Sequence, residues 1–301
     1  MKRFTIFAMF VAMVLSVSAQ YKMHVWEQGV KTTFVVSTVD SVTFENYLDD
    51  SEDSEEDTYE GIGVFSVSAT NQVTFSPGNL QYHPANNVWQ FAENQWDFVG
   101  NNENIGENYD GWLDLFGWST SATNFGVSTS TNNNDYSGSF VDWGTNKIGN
   151  DAPNTWRTLS KDEWEYLLNG RNNATSLCGV AQVNGVNGLI FLPDDWTCPA
   201  GVTFKSGFHS SSGVDYYAAY QTFTADQWSK LEAAGAVFLP AAGVRIGTVT
   251  YSEQYFGRYW SATEYSKMCP YDFRIFADRA HLDNRDYCYS GQSVRLVKDV
   301  K

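Results

Sequence analysis

Positive charge is what this chain has least of. Nineteen Lys and Arg stand against 35 Asp and Glu in 301 residues, a formal charge of −16. No Lys or Arg occurs between Lys31 and Lys147. Binding to nucleic acid irrespective of sequence rests on Lys and Arg that displace phosphate counterions, so no nucleic-acid partner is expected. Long apolar runs are missing too. After Leu15 no segment has the roughly 20 apolar residues that a membrane-spanning helix needs, so no transmembrane segment is expected. Cysteine is sparse, with four residues, no CxxC and no Cys/His spacing suited to zinc. The four His (His24, His83, His209, His281) are scattered, so neither a metal site nor a cofactor is expected. A nucleophile elbow, a phosphate loop and HExxH are all absent. Aromatic residues, by contrast, are abundant: 11 Trp, 17 Tyr and 20 Phe. With 43% hydrophobic residues the chain buries a core and is not globally disordered.

The first residues read as a leader. Lys2 and Arg3 precede the apolar run Phe4 to Leu15, and Ser16-Val17-Ser18-Ala19 offers small residues for cleavage before Gln20. A retained anchor is the alternative, but the run is short for a span, and no Cys stands at the cleavage site for a lipid. Residues 1–19 are therefore expected to be a signal peptide. The expected location is extracellular, on the cell surface or in the periplasm of a bacterium. Residues 20–48 read as a small β element: Val25-Trp26 and Thr32 to Val36 flank a turn at Gln28-Gly29, and Ser41 to Phe44 form a further strand. Residues 49–60 (DDSEDSEEDTYE) carry eight acids and no base. Like charges repel, so this stretch reads as an extended linker; the spacing of a calcium loop is missing. Export permits disulfides without requiring them, and Cys178 with Cys198 is the favoured pair.

Residues 61–301 read as an α+β domain of many short strands and long loops. Phe65 to Val67 and Val73 to Phe75 form one hairpin, and Leu80 to Tyr82 with Val88 to Phe91 another. From Gly100 to Gly149 the chain is rich in Asn, Ser, Gly and Thr with Trp112, Trp118 and Trp143 embedded, which suggests ordered loops pinned by indole rings. Two helices have complete start signals. Ser160 caps one, with Glu163 closing the box and Leu159 and Trp164 as staple. Thr224, Gln227, Phe223 and Trp228 repeat the arrangement. Carboxylate pairs exist by count, such as Asp194 with Asp195 or Glu163 with Glu165. Adjacent acids are usually solvated, and Glu163 already has a capping role.

These residues carry a resemblance. Trp156 to Tyr166 (WRTLSKDEWEY) resembles the first-helix signature of the C-type-lectin-like fold in formylglycine-generating-enzyme relatives. Phe238 to Arg245 (FLPAAGVR), Tyr259 to Thr263 (YWSAT) and Ser293 to Val297 (SVRLV) resemble its later strands, in order. The body is similar to the exported bacterial group called the Fibrobacter succinogenes major paralogous domain, and to variable proteins of diversity-generating retroelements. The resemblance implies a C-type-lectin-like domain over residues 61–301, with two helices and ligands displayed on loops. Formylglycine-generating enzymes hold copper with a closely spaced C-terminal cysteine pair. Here Cys269 and Cys288 are far apart and outside that motif, so no catalytic residues and no enzyme activity are expected.

The stretch between the YWSAT and SVRLV segments is the expected ligand-binding face, with protein or glycan as partner. Its candidate residues are Glu264, Tyr265, Lys267, Tyr271, Asp272, Arg274, Asp278, Arg279, His281, Asp283, Asn284, Arg285, Asp286 and Tyr287. Tyr and Arg supply contact area and hydrogen bonds typical of binding surfaces. Strand alternation turns Phe273 and Ile275 to the core and Asp272 and Arg274 outward. An ordinary polar surface loop is the plainer reading. A sharper one is diversification: substitution at the adenines of AAY codons cannot yield Lys, Glu, Gln, Met or Trp, and Cys269 to Gly291 contains none of them. Ser119 to Asp142 lacks all five as well. The expected function is thus non-catalytic ligand binding or adhesion. The alternatives are a calcium-dependent carbohydrate-binding lectin, although its Glu-Pro-Asn and Trp-Asn-Asp signatures are absent, and a fimbria-like structural subunit. Aligned sibling genes from one genome should vary mainly within residues 264–290; even variation along the body would remove the case for a binding face there.

Overall fold

A computed structural model describes residues 22–27, 30–35, 63–100, 109–121, 125–266, 269–283 and 286–300. The expected signal peptide, the strand at Ser41 to Phe44 and the acidic stretch lie outside them. The chain divides into two compact units, residues 1–56 and 57–301. In the first, β1 (Lys22–Glu27) and β2 (Val30–Val35) pair antiparallel with Glu27 opposite Val30, the two-residue separation of a tight hairpin.

The second unit is α+β. The expected hairpins form as β3 (Phe65–Ser66) with β4 (Gln72–Phe75), and β5 (Leu80–His83) with β6 (Val88–Phe91). Next come β7 (Arg157–Thr158), α1 (Lys161–Glu165), β8 (Cys178–Val183), β9 (Val186–Phe191), α2 (Asp215–Tyr220), β10 (Thr222–Phe223) and α3 (Ala225–Ala233). Seven strands follow: β11 (Val237–Pro240), β12 (Val244–Ile246), β13 (Val249–Tyr251), β14 (Gly257–Ser266), β15 (Cys269–Phe276), β16 (Arg279–Asp283) and β17 (Leu296–Asp299), which inserts between β4 and β7.

Both capping boxes form. Ser160 Oγ accepts the Glu163 N–H while the Glu163 carboxylate accepts the Ser160 N–H at 2.8 Å, and Thr224 with Gln227 does the same at α3. Trp164 and Trp228 are then buried on the inner faces. Two helices were expected, and among the described residues there are three. The extra one, α2, has no side-chain cap. It is held by tertiary packing, with Tyr217 fully buried and its hydroxyl donating to the Tyr255 carbonyl at 3.2 Å.

The sheet β10-β8-β9-β11 is buried on both faces. Alternation sends Val180, Leu189 and Phe191 into one core with Trp164 and Phe273. It sends Ala181, Ile190 and Phe238 into another beneath Trp228 and Leu231 of α3. Cys178 lies in the first core, where burial pushes its thiol up to about 11, and Cys198 is exposed in a loop. Both are free thiols, so the expected pair does not form: one sulfur is sealed in the core and the other lies in an exposed loop.

In the described parts of the loop-rich segment, two of the three Trp act as buried pins. Trp118 and Trp143 are buried, donating their indole N–H to Ser261 O at 3.1 Å and Phe125 O at 2.8 Å. Arginine does the same work on a larger scale. The fully buried Arg245 donates twice to Leu115 O and also to Ser128 O and Gly247 O. Arg171 reaches Leu167 O, Leu192 O, Leu177 O and the Asp194 carboxylate. Asp194, one of the acids considered as a pair, also accepts from Ser66 N at 2.7 Å and from Ser66 Oγ, tying β3 to this loop. Burial lowers both arginines from their usual range.

Asp114 is fully buried beside this network, accepting the Val99 N–H at 2.7 Å. Burial pushes its carboxyl up to about 7, with the Val99 N–H and Arg245 opposing. Between the unfolded value of 3.8 and about 7 the folded protein holds a proton that the unfolded chain has lost. Stability from this group is therefore full below the lower value and is lost as pH rises through the upper one. Relative to the parent, Asp114→Asn should gain about 3 kcal/mol between pH 5 and pH 8 in urea unfolding. A constant difference across that range would refute the assignment.

Candidate functional site

The C-terminal segment folds as a three-stranded antiparallel sheet, β14-β15-β16. Its register sets Arg258 opposite Arg274 and Arg274 opposite His281, with Trp260, Asp272 and Asp283 in the adjacent row. Tyr259, Phe273 and Ile275 point to the opposite face and are fully buried in the first core, as alternation predicts. The charged face was expected to look outward. It does not: Asp272 is 0% exposed, Asp286 is buried, and Trp260 packs with Trp118, Phe116 and Cys288 in a third core. Alternation told the two faces apart correctly, but a second layer covers the charged one, with Trp260 Nε1 donating to Phe116 O.

Within that layer the charges neutralise one another. Arg274 donates from Nε to Asp272 at 2.9 Å and reaches Asp283 at 3.1 Å and Asp286 at 3.6 Å. Arg258 pairs with Asp286, which also accepts from Tyr287 N at 3.0 Å, Ser290 Oγ at 2.9 Å and Gln292 Nε2 at 3.2 Å. Burial, and then Arg274 across the strand, pull Arg258 down to about 10. Asp272 is pushed up by burial against the pull of Arg274. Two arginines directly opposite would repel, and the three aspartates between them make the arrangement stable. Arg258 was not among the expected site residues. Strand parity across β14 and β15 was the signal that links it to Arg274.

The remaining candidates are distributed over the rim. Glu264 and Tyr265 are exposed, Tyr265 at 57%, where the register of β14 shifts on either side of Glu264. Such irregularities re-aim side chains. Tyr265 meets Tyr271 edge-on at 5.5 Å, and the Lys161 ammonium lies 5.5 Å from the Tyr271 ring. Tyr287, 51% exposed, stacks on Tyr289 at 5.0 Å on the side of the sheet that faces the third core. Asp278 pairs with the exposed Arg279 at 2.9 Å. His281 stacks on Phe276 at 6.0 Å and is held below its usual pKa by burial and then by Arg279. Lys267, Asn284 and Arg285 lie outside the described residues. Tyr255, exposed and edge-on to Phe276, was missed because nothing in its spacing ties residue 255 to residue 276.

Among the described residues no group of three or more His, Cys, Asp or Glu is arranged to hold a metal ion, and no helix is long and apolar enough to cross a membrane. No family profile, curated protein or solved structure matches the chain. Asp286 is the hub of the buried network and Asp278 belongs to a half-exposed neighbour pair. Asp286→Ala should therefore cost about 3 kcal/mol in denaturant unfolding, and Asp278→Ala less than about 1 kcal/mol. Equal costs would show that the network does not hold the sheet.

Proposed function

We propose that this is an exported, non-catalytic ligand-binding or adhesion protein with a C-type-lectin-like scaffold of the Fibrobacter succinogenes major paralogous domain type. One observation carries the reading. Arg258, Arg274, Asp272, Asp283 and Asp286 are consumed in an internal network, while Tyr265 and Tyr287 stay more than half exposed, each against a second tyrosine. Exposed aromatic rings packed against a second ring give contact area at little entropic cost, the property that binding hot spots share. Two acids weighed as catalytic are occupied: Glu163 caps α1 and pairs with Arg157, and Asp194 holds β3 and Arg171. That occupancy supports the non-catalytic reading. Protein or glycan remains the partner class, and diversification of residues 264–290 belongs to the same proposal.

The test is binding of the full secreted chain to a glycan array, with and without chelator, and to immobilised extracellular proteins. Tyr265→Ala or Tyr287→Ala should weaken the strongest signal about tenfold or more, as hot-spot truncation does. Tyr251→Ala, an equally exposed tyrosine on β13, should leave it unchanged. Loss of signal in Tyr251→Ala alone would move the binding face away from the C-terminal sheet.

A further inference from the structure

A cleft outside residues 264–290 has a different chemistry. It lies between the end of β4, the segment 151–156 and the C-terminal end of α3, with a volume of about 440 Å3. Small-molecule sites fall in this range. Its depth is set by two glycines. Gly235 ends the α3 turn with φ +86°, and a Cβ on Gly63 would stand 2.1 Å from the Gly235 carbonyl oxygen. Neither position tolerates a side chain that would fill the floor.

One wall is aromatic. Phe91 meets the Trp156 ring edge-on at 5.2 Å, and its indole N–H donates to Asp151 at 2.8 Å, which fixes the plane of the ring. Phe75 and Pro77 add apolar surface. The polar lining is one-sided. Ser76 donates its hydroxyl to Gly78 O and Thr155 donates to Ala152 O. Gln95 donates to Glu232 at 2.7 Å and to Ala236 O at 3.3 Å. The donors of Ser76, Thr155, Trp156 and Gln95 are thus spent inside the protein. Asp151 and Glu232 each use one carboxylate oxygen and keep the other. Glu232 is also held in place from below: the Gln95 carbonyl accepts from Phe238 N at 2.8 Å and from the buried Arg295 at 2.6 Å. Lys298, exposed, is the base that lines the cleft.

A sugar presents donors and acceptors together and needs both answered. Apart from the exposed Lys298 ammonium at the rim, this lining has spare carboxylate oxygens, spent side-chain donors at Ser76, Thr155, Trp156 and Gln95, and an indole wall. It answers donors better than acceptors. We propose that this cleft binds an organic cation, a primary ammonium group on an apolar body. The ammonium hydrogens bond Asp151 and Glu232, and the body lies on Trp156, where the ring also attracts the charge. The formal charge of −16 raises the local concentration of such a ligand.

The probe is 2-phenylethylammonium, with 2-phenylethanol and methyl glucoside as neutral comparisons, titrated into the full chain. The readout is the Trp156 indole N–H resonance, identified by its loss in Trp156→Phe. The amine should shift that resonance saturably, and the two neutral probes should not. Asp151→Asn and Glu232→Gln should each weaken amine binding at least about tenfold. Because either change also removes an internal hydrogen bond, Lys298→Gln provides an independent test. It deletes an exposed like charge at the rim and should tighten amine binding by about threefold. No shift with the amine, an equal shift with phenylethanol or the glucoside, or weaker binding in Lys298→Gln would each overturn the proposal.

Discussion

A buried backbone carbonyl needs a donor, and a chain built from short strands and long loops has many carbonyls that no sheet or helix supplies. The guanidinium groups of Arg171 and Arg245 meet that need. Between them they reach the carbonyls of Leu115, Ser128, Leu167, Leu177, Leu192 and Gly247. Arg245 thereby ties together segments that are distant in sequence, and Arg171 fastens the turns between α1 and the loop after β9. A charge buried this deeply is tolerated because several hydrogen bonds answer it, and removing the arginine would leave those carbonyls bare. The indole N–H groups of Trp118, Trp143 and Trp260 serve single carbonyls in the same way. Loops fastened at such points hold their form without a ladder of their own.

The same constraint shapes the C-terminal sheet. Both faces of its central part are covered, so Arg258, Arg274 and the aspartates beside them neutralise each other at close range instead of meeting solvent. Under the proposed function, recognition is left to side chains at the strand ends and beyond the last turn, where Tyr265 and Tyr287 are exposed. The cleft beside α3 divides the labour differently. There the internal hydrogen bonds consume side-chain donors and leave carboxylate oxygens, and the selectivity proposed for it rests on what the fold has already used.

Local signals in the sequence were legible. The capping boxes at Ser160 and Thr224, the hairpins at residues 65–75 and 80–91 and the alternation of Phe273 and Ile275 depend on neighbours within a few residues. Features set by distant segments were not legible. Helix α2 has no cap and stands because Tyr217 packs under Tyr255. Asp272 was placed on the correct face of its strand, but nothing in a strand says what covers that face. The cleft draws on six separated stretches, from Gly63 to Lys298, and no spacing rule joins Trp156 to Glu232. The Cys178–Cys198 pairing failed for the same reason, since sequence separation says little about burial.

The position of β17 bears on how the body comes into being. This last strand enters the middle of a sheet, with β4 on one side and β7 on the other. β4 and β7 are therefore left without their shared neighbour until a strand from a distant part of the sequence has been made and has docked. Closing this sheet depends on contacts of long sequence separation, which form slowly because the loop between the partners must be closed first. Loss of β17 would remove an interior strand of the sheet, a far heavier injury than loss of an edge strand.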